Sequence, residues 1–255
     1  MGRQPNRRRA LKIDLSFVDT GTHRIAYLEY EPRRARGVGL VVGHGYSSSK
    51  QNLDLLCNFL ASHGFGVFSL DFPGHKLGAS SGPLRGVADL VHAMTAVFER
   101  AREELGKAPI YALGHSMGAT TALLSAAGEP RVAGVIAIAT GIGRIAALQT
   151  LATAGATDLR SAYVDGLTLP ELVAEVEPLL VPALAALRGR PQLYVAADAD
   201  MMVARASVQR LYDAAPEPKS FEVISGNHTY AGENARGAVL AWLNALHPRA
   251  VAAPV

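Results

Sequence analysis

Apolar and polar residues alternate along positions 11–19 and again along 24–30, with Asp19-Thr20-Gly21-Thr22 between them. A period of two marks a half-buried strand, and the turn residues make the pair a hairpin at a sheet edge. Short continuous apolar runs then follow at 37–42, 66–70, 109–113, 132–139 and 192–197, with a last strand at 219–224. Runs of this kind predict strands buried on both faces. Between them the apolar spacing changes to three and four. Leu53, Leu56 and Leu60 share one face of a helix predicted over 47–63. Val87, Leu90, Val91, Met94, Val97 and Phe98 do the same over 84–105. Further helices are predicted at 119–124, 203–214 and 232–246.

Strand and helix alternate from residue 37 onward. The pattern predicts an α/β fold, with a mostly parallel central sheet and helices on both faces. Ligands bind such sheets beyond the carboxyl ends of the strands. Residues 141–190 interrupt the alternation. A returning helix is expected over 169–187, with Pro178 and Pro182 breaking or kinking it. A small insertion around 141–170 remains. Residues 1–10 read as a flexible arm, and 11–255 as one domain that carries the insertion.

Composition narrows the class. The 255 residues are 49% hydrophobic and 18% charged, which is enough apolar surface for a packed core. The formal charge of +3 owes much to Arg3, Arg7, Arg8 and Arg9 in the arm. Such a cluster is read as solvated, with no nucleic-acid partner. The single cysteine, Cys57, excludes a disulfide within the chain and fits a cytoplasmic location. Lys12 and Asp14 interrupt the first apolar run, so neither a secretory signal nor a membrane span is expected. The histidines are scattered, with no metal-ligand spacing, and no phosphate or dinucleotide loop is present. No metal and no cofactor are expected.

The candidate chemistry lies at Gly114-His115-Ser116-Met117-Gly118. A buried strand precedes this G-x-S-x-G and a small-residue helix follows it. Strand, sharp turn and helix lift a serine hydroxyl clear of the sheet, beside the free N–H groups of a helix start. A serine hydroxyl is a weak nucleophile. It needs a base, and the base needs an orienting acid. His228 follows the last strand and precedes the last helix. Asp198 and Asp200 both follow the strand before.

Gly114-His115-Ser116-Met117-Gly118 resembles the nucleophile elbow of the α/β-hydrolase family, in its serine esterase and thioesterase branch. The resemblance covers roughly residues 20–247. It implies the α/β-hydrolase fold, with Ser116 as nucleophile and His228 as base. It favours Asp200 over Asp198 as the acid, although Ala197 stands where the family often has glycine. Asp198 would then tie down the loop. Gly43-His44-Gly45-Tyr46 resembles the family's His-Gly oxyanion loop, which gives the backbone N–H groups of Tyr46 and Met117 to an oxyanion and leaves His44 structural. Asp71-Phe72-Pro73-Gly74-His75 resembles a structural loop of the family, with its second glycine replaced or displaced.

The insertion at 141–170 sits where the family carries its cap. Its apolar residues, Leu148 and Tyr163 among them, are candidates with Tyr46 for lining a substrate pocket. They would favour a small-molecule ester or thioester with an apolar acyl group. Arg144 and Arg160 would instead meet a substrate carboxylate. The implied activity is hydrolysis of a carboxylic ester or thioester through an acyl-enzyme. Acyl transfer, lactone chemistry, perhydrolysis and C–C hydrolysis use the same triad. A non-catalytic ligand-binding protein of this fold is the third reading. The oligomeric state is not legible in the sequence.

Overall fold

A computed structural model of the chain describes residues 11–144 and 158–249. The arm expected at 1–10 and residues 145–157 of the expected insertion lie outside the described residues. Eight strands form one sheet: β1 (Lys12–Asp19), β2 (Arg24–Glu31), β3 (Gly39–Gly43), β4 (Gly66–Leu70), β5 (Ile110–His115), β6 (Val135–Ile138), β7 (Gln192–Ala197) and β8 (Lys219–Ile224). Their spatial order is β1-β2-β4-β3-β5-β6-β7-β8. The hairpin β1–β2 and the β2–β4 pair are antiparallel, and every other pair is parallel. The expected sheet is therefore the observed one.

Six longer helices cover it: α1 (Asp54–Ser62), α2 (Val87–Leu105), α3 (Met117–Gly128), α4 (Leu169–Leu184), α5 (Arg205–Ala214) and α6 (Arg236–Leu246). Alternate strand residues feed two separate cores. Val41, Ala112 and Tyr194 face one side, where they meet Met94 of α2, Leu123 of α3, Leu180 of α4 and Leu211 of α5. Leu40, Leu113 and Val195 face the other, against Leu60 of α1 and Leu243 of α6. Period-two side-chain placement in fully buried strands produces this double packing.

Two boundaries depart from expectation. The helix expected over 47–63 opens with a 3₁₀ turn, Lys50–Leu53, and becomes α-helical only at Asp54. The Lys50 backbone N–H is held at 2.8 Å by Asp71 Oδ1, which fixes the entry of the chain. The second departure is α4, which runs unbroken through Pro178 and Pro182. Both prolines are exposed, on the face opposite Leu172, Val176, Leu180 and Leu184. Each lost N–H bond frees a carbonyl four residues earlier, and on that face water can satisfy it. A capping box between Thr168 and Glu171 starts the helix.

Helix α4 also ties the sheet's carboxyl edge together. Glu175 Oε1 accepts the Val87 N–H at 3.0 Å, closing the start of α2. Glu177 Oε1 accepts the Gly143 N–H at 2.6 Å, and its Oε2 accepts the Arg144 N–H at 3.1 Å, after β6.

Below the loop that follows β3 lies a buried ionic cluster. Asp71 is fully buried, and its carboxylate accepts Lys50 Nζ, the Lys50 N–H and, at 2.8 Å, the Ala79 N–H. Lys50 is itself only 2% exposed. Removing one partner of such a pair strands the other charge without water. Asp71→Ala is expected to cost about 3–5 kcal/mol in urea unfolding, since it also orphans two backbone N–H groups. Lys50→Met should cost less, because Asp71 keeps those two donors. Equal midpoints for both variants and the parent would show that the cluster does not hold the loop.

Candidate active site

Ser116 is the residue between β5 and α3. Its backbone has φ 54° and ψ −115°, a left-handed conformation that L-residues avoid. Two glycines make it possible. A Cβ at Gly114 would lie 2.1 Å from the Gly118 carbonyl, and one at Gly118 would lie 2.1 Å from the Gly43 oxygen. Backbone therefore packs on backbone across β5, α3 and the end of β3. The Ser116 N–H is held at 2.8 Å by the Ile138 carbonyl of β6. The hydroxyl is left at the carboxyl edge of the sheet, where the topology opens a crevice.

His228, in the loop after β8, meets it. The Ser116 hydroxyl and His228 Nε2 lie 3.0 Å apart. On the far side of the ring, His228 Nδ1 lies 2.7 Å from Asp200 Oδ2, after β7. The carboxylate accepts the Nδ1–H, so Nε2 is free to accept from the serine hydroxyl. The Asp200 side chain is fully buried and that of His228 is 9% exposed. Burial pushes the Asp200 carboxyl up, but the bond to His228 and the N–H groups of Val203 and Met202 outweigh it and hold the group below its ordinary value. Those two N–H groups reach Oδ1 at 2.8 Å each, so both oxygens are satisfied.

Asp198 does different work. It is exposed, and it accepts the Gly226 N–H at 2.9 Å and the Ser225 hydroxyl at 3.0 Å. It ties the loop that carries His228 to the end of β7. The bond from Gly226, then that from Ser225, lowers its pKa.

His115, inside the pentapeptide, was not singled out as a site residue by sequence. Its Nε2–H donates at 2.8 Å to the His228 carbonyl, and the two rings lie 4.9 Å apart. Burial, and then the neighbouring His228, push its pKa down to about 3. It is a neutral donor that fixes the base's loop. No sequence pattern distinguishes that use from a simple packing role.

On the other side of Ser116, a Cβ at Gly45 would come within 3.5 Å of Ser116 Cβ, so the His-Gly loop lies against the nucleophile. The backbone N–H groups of Tyr46 and Met117 donate to no acceptor among the described residues. His44 holds the loop from within. Its Nδ1–H donates to Gly45 O at 2.8 Å and its Nε2 accepts the Phe72 N–H at 3.0 Å. Burial pushes His44 down to about 3, which keeps it in this neutral tautomer.

A recess of about 190 Å³ opens over Ser116 and His228. Tyr46, Ser47, Asn52, Arg160, Leu169 and Met202 are among its walls. The Tyr46 hydroxyl does not face substrate, since it donates to Leu167 O at 2.8 Å. Tyr163 is 51% exposed and is not part of the recess walls. Leu148 lies outside the described residues. Arg144 is buried behind the site, and burial lowers its pKa against the pull of Glu177 and Asp200. Among the described residues no group of His, Cys, Asp or Glu could hold a metal, and no helix is long and apolar enough to cross a membrane. A larger recess, about 1050 Å³, lies at the amino ends of β3 and β5, ringed by Arg33, Arg34, Arg36 and Arg249 and remote from Ser116.

Comparison with known proteins agrees with this fold. The family model described as serine aminopeptidase, S33 matches residues 34–177, more than half of the chain. An alpha-beta serine hydrolase homologue from Coxiella burnetii is similar in structure, with TM-score 0.66 and 18% identity over 90% of this chain and 97% of that one. The thioesterase domain from the curacin biosynthetic pathway is similar at TM-score 0.66 and 18% identity, over 92% and 99% of the two chains. A cold-adapted esterase from an Arctic intertidal metagenomic library is similar at TM-score 0.67 and 16% identity, over 97% and 99%. Among curated proteins no sequence matches the chain.

The two aspartates give a sharp test on a simple ester. Asp200→Asn keeps the shape but removes the charge that fixes the histidine tautomer, so kcat should fall by up to about 10⁴-fold at nearly unchanged Tm. Asp198→Asn should lower Tm while kcat stays within about threefold. Exchanged phenotypes would move the acid to Asp198.

Proposed function

The chain belongs to the α/β-hydrolase family represented by the serine aminopeptidase, S33 model, and on that premise we propose that it is a serine hydrolase that cleaves a carboxylic ester or thioester through an acyl-enzyme. One observation carries the reading. The unbroken chain from Ser116 Oγ to His228 Nε2, at 3.0 Å, and from His228 Nδ1 to Asp200 Oδ2, at 2.7 Å, is the geometry of an activated serine.

Ser116 Oγ attacks the substrate carbonyl carbon, and its proton passes to His228 Nε2. Asp200 stabilises the imidazolium that forms. Negative charge gathers on the carbonyl oxygen, where the Tyr46 and Met117 N–H groups meet it. These donors need no reorganisation, which is the usual source of a large rate term. The tetrahedral species collapses as His228 gives its proton to the leaving alcohol or thiol. Water then enters, loses a proton to His228 and attacks the acyl-enzyme by the same route. Ser116 is regenerated with the acid product.

The matched family's description names an aminopeptidase, and the recess argues against that activity here. A free α-ammonium beside the scissile bond calls for a carboxylate partner. Among the described residues the recess walls carry no carboxylate, and the permanent cation Arg160 would repel an ammonium. Of the pocket residues expected from the sequence, Tyr46 is among the described walls of the recess and Tyr163 is not. Tyr46, Leu53, Leu169 and Met202 are apolar walls, but Ser47, Ser48, Asn52 and Thr229 share the space with them.

A neutral fluorophosphonate should label the parent protein at Ser116, as read by peptide mass spectrometry, and Ser116→Ala should take up none. Ser116→Ala and His228→Ala should each reduce ester turnover by about 10⁴-fold or more, with the fold retained by circular dichroism. The two act as a unit, so the double variant should be no worse than either single one. Turnover within about tenfold of the parent in Ser116→Ala would rule out the mechanism.

A further inference from the structure

Arg160 is the one charged guanidinium in the recess over Ser116, and its side chain has no hydrogen bond or ion pair among the described residues. Several other arginines are paired, although buried Arg144 and half-buried Arg102, neither of them a wall of this recess, also have no side-chain hydrogen bond among the described residues. Arg131 pairs with Glu99 and Glu129, and Arg100 pairs with Glu103 and Glu104. Arg190 and Arg249 donate to backbone carbonyls. Arg160 is half-buried yet uncompensated. Such a placement costs desolvation with no return inside the protein.

The backbone that carries it is tied to the body of the fold. Arg160 belongs to a single helical turn, Asp158–Ser161. The Tyr46 hydroxyl reaches Ser161 Oγ at 3.4 Å and Leu167 O at 2.8 Å. Lys76 Nζ donates to Ala162 O at 2.9 Å, and the Lys76 N–H donates to Tyr163 O at 3.0 Å. Val164 makes a β-bridge to His75. The guanidinium is therefore presented from a fixed base, which lowers the entropy lost on pairing.

Resting on the hydrolase reading above, we infer that Arg160 is a specificity residue that pairs with a carboxylate on the acyl part of a small substrate, so that the preferred ester is a monoester of a short dicarboxylic acid. The planar guanidinium fork matches a carboxylate in two parallel bonds. One cation balances one carboxylate. A phosphate monoester, with close to two negative charges, would keep an unpaired charge in the same space. The hydroxyl and amide groups of Ser47, Ser48, Asn52 and Thr229 supply neutral hydrogen bonds around it. A recess of about 190 Å³ also suits a short acyl group better than a long one.

The test compares two matched ethyl esters by pH-stat, ethyl hydrogen succinate and its neutral isostere ethyl 4-methylpentanoate. The parent protein should favour the anionic ester in kcat/KM by about tenfold or more. The preference should shrink as ionic strength rises. Arg160→Gln should bring the ratio to about one, and Arg160→Lys should keep part of it, since the charge stays while the fork is lost. A parent ratio at or below one would overturn the inference. So would equal losses on both esters in Arg160→Gln, which would assign Arg160 to the oxyanion or to structure. Fluorophosphonate labelling of the parent is run alongside. If the probe labels Ser116 and the ratio is at or below one, only the specificity inference fails. If the probe does not label and neither ester turns over, the hydrolase reading fails and the inference falls with it.

Discussion

Backbone packing at one point constrains most of the site. Ser116 can hold φ 54° because Gly114 and Gly118 let three stretches of main chain meet, the end of β3 at Gly43 among them. A strained residue of this kind costs on the order of 1–3 kcal/mol and persists only where its surroundings over-determine it. Here the surroundings are the centre of the sheet. β3 and β6 flank β5, and β6 supplies the carbonyl that receives the Ser116 N–H. The same close approach brings the His-Gly loop after β3 against the start of α3. Ser116 and the free N–H groups of Tyr46 and Met117 thus share one origin. Moving either would need the sheet's central strands to separate.

That approach also imposes a cost on the loop after β3, which turns inward and carries polar groups with it. His44 and Asp71 answer it together. His44 bridges Gly45 O and the Phe72 N–H, while Asp71 collects the Lys50 N–H, the Ala79 N–H and the Lys50 ammonium. The loops after β3 and β4 are cross-linked through these two side chains. A buried ion pair adds little net stability beside a well-packed apolar core. Its contribution is registry: the Lys50–Asp71 pair, and His44 through its bond from the Phe72 N–H, hold the two loops in one arrangement.

Much of this was legible because it is local in sequence. The strand, the G-x-S-x-G turn and the helix adjoin one another, and His228 lies in the one loop between the last strand and the last helix. The sheet's two cores follow from alternation within each strand. What escaped depends on distance in space. Leu169 and Met202 are far from Ser116 along the chain, and nothing local says that they meet it. The unbroken α4 was missed because a proline's effect depends on which face it occupies. Pro178 and Pro182 share the solvent face, and only packing assigns that. Tyr163 reads as an aromatic of the insertion, but its neighbours bend its backbone toward Lys76 and leave the ring outside the recess. The choice between Asp198 and Asp200 was open because two residues in a turn point in different directions. One reaches the loop backbone and the other the imidazole.

Two histidines in contact need opposite environments, and the structure provides them. His228 has a carboxylate at Nδ1 and the Ser116 hydroxyl at Nε2. His115 is buried and spends its Nε2–H on the His228 carbonyl. Its pKa of about 3 keeps it neutral wherever the base must become charged. Were both rings charged at a centroid distance of 4.9 Å, their repulsion would oppose the imidazolium that the reaction forms. The neutral ring instead offers a fixed donor at no electrostatic cost. The asymmetry is made by burial on one side and by Asp200 on the other. It allows His115 to stand beside Ser116 as a neutral donor.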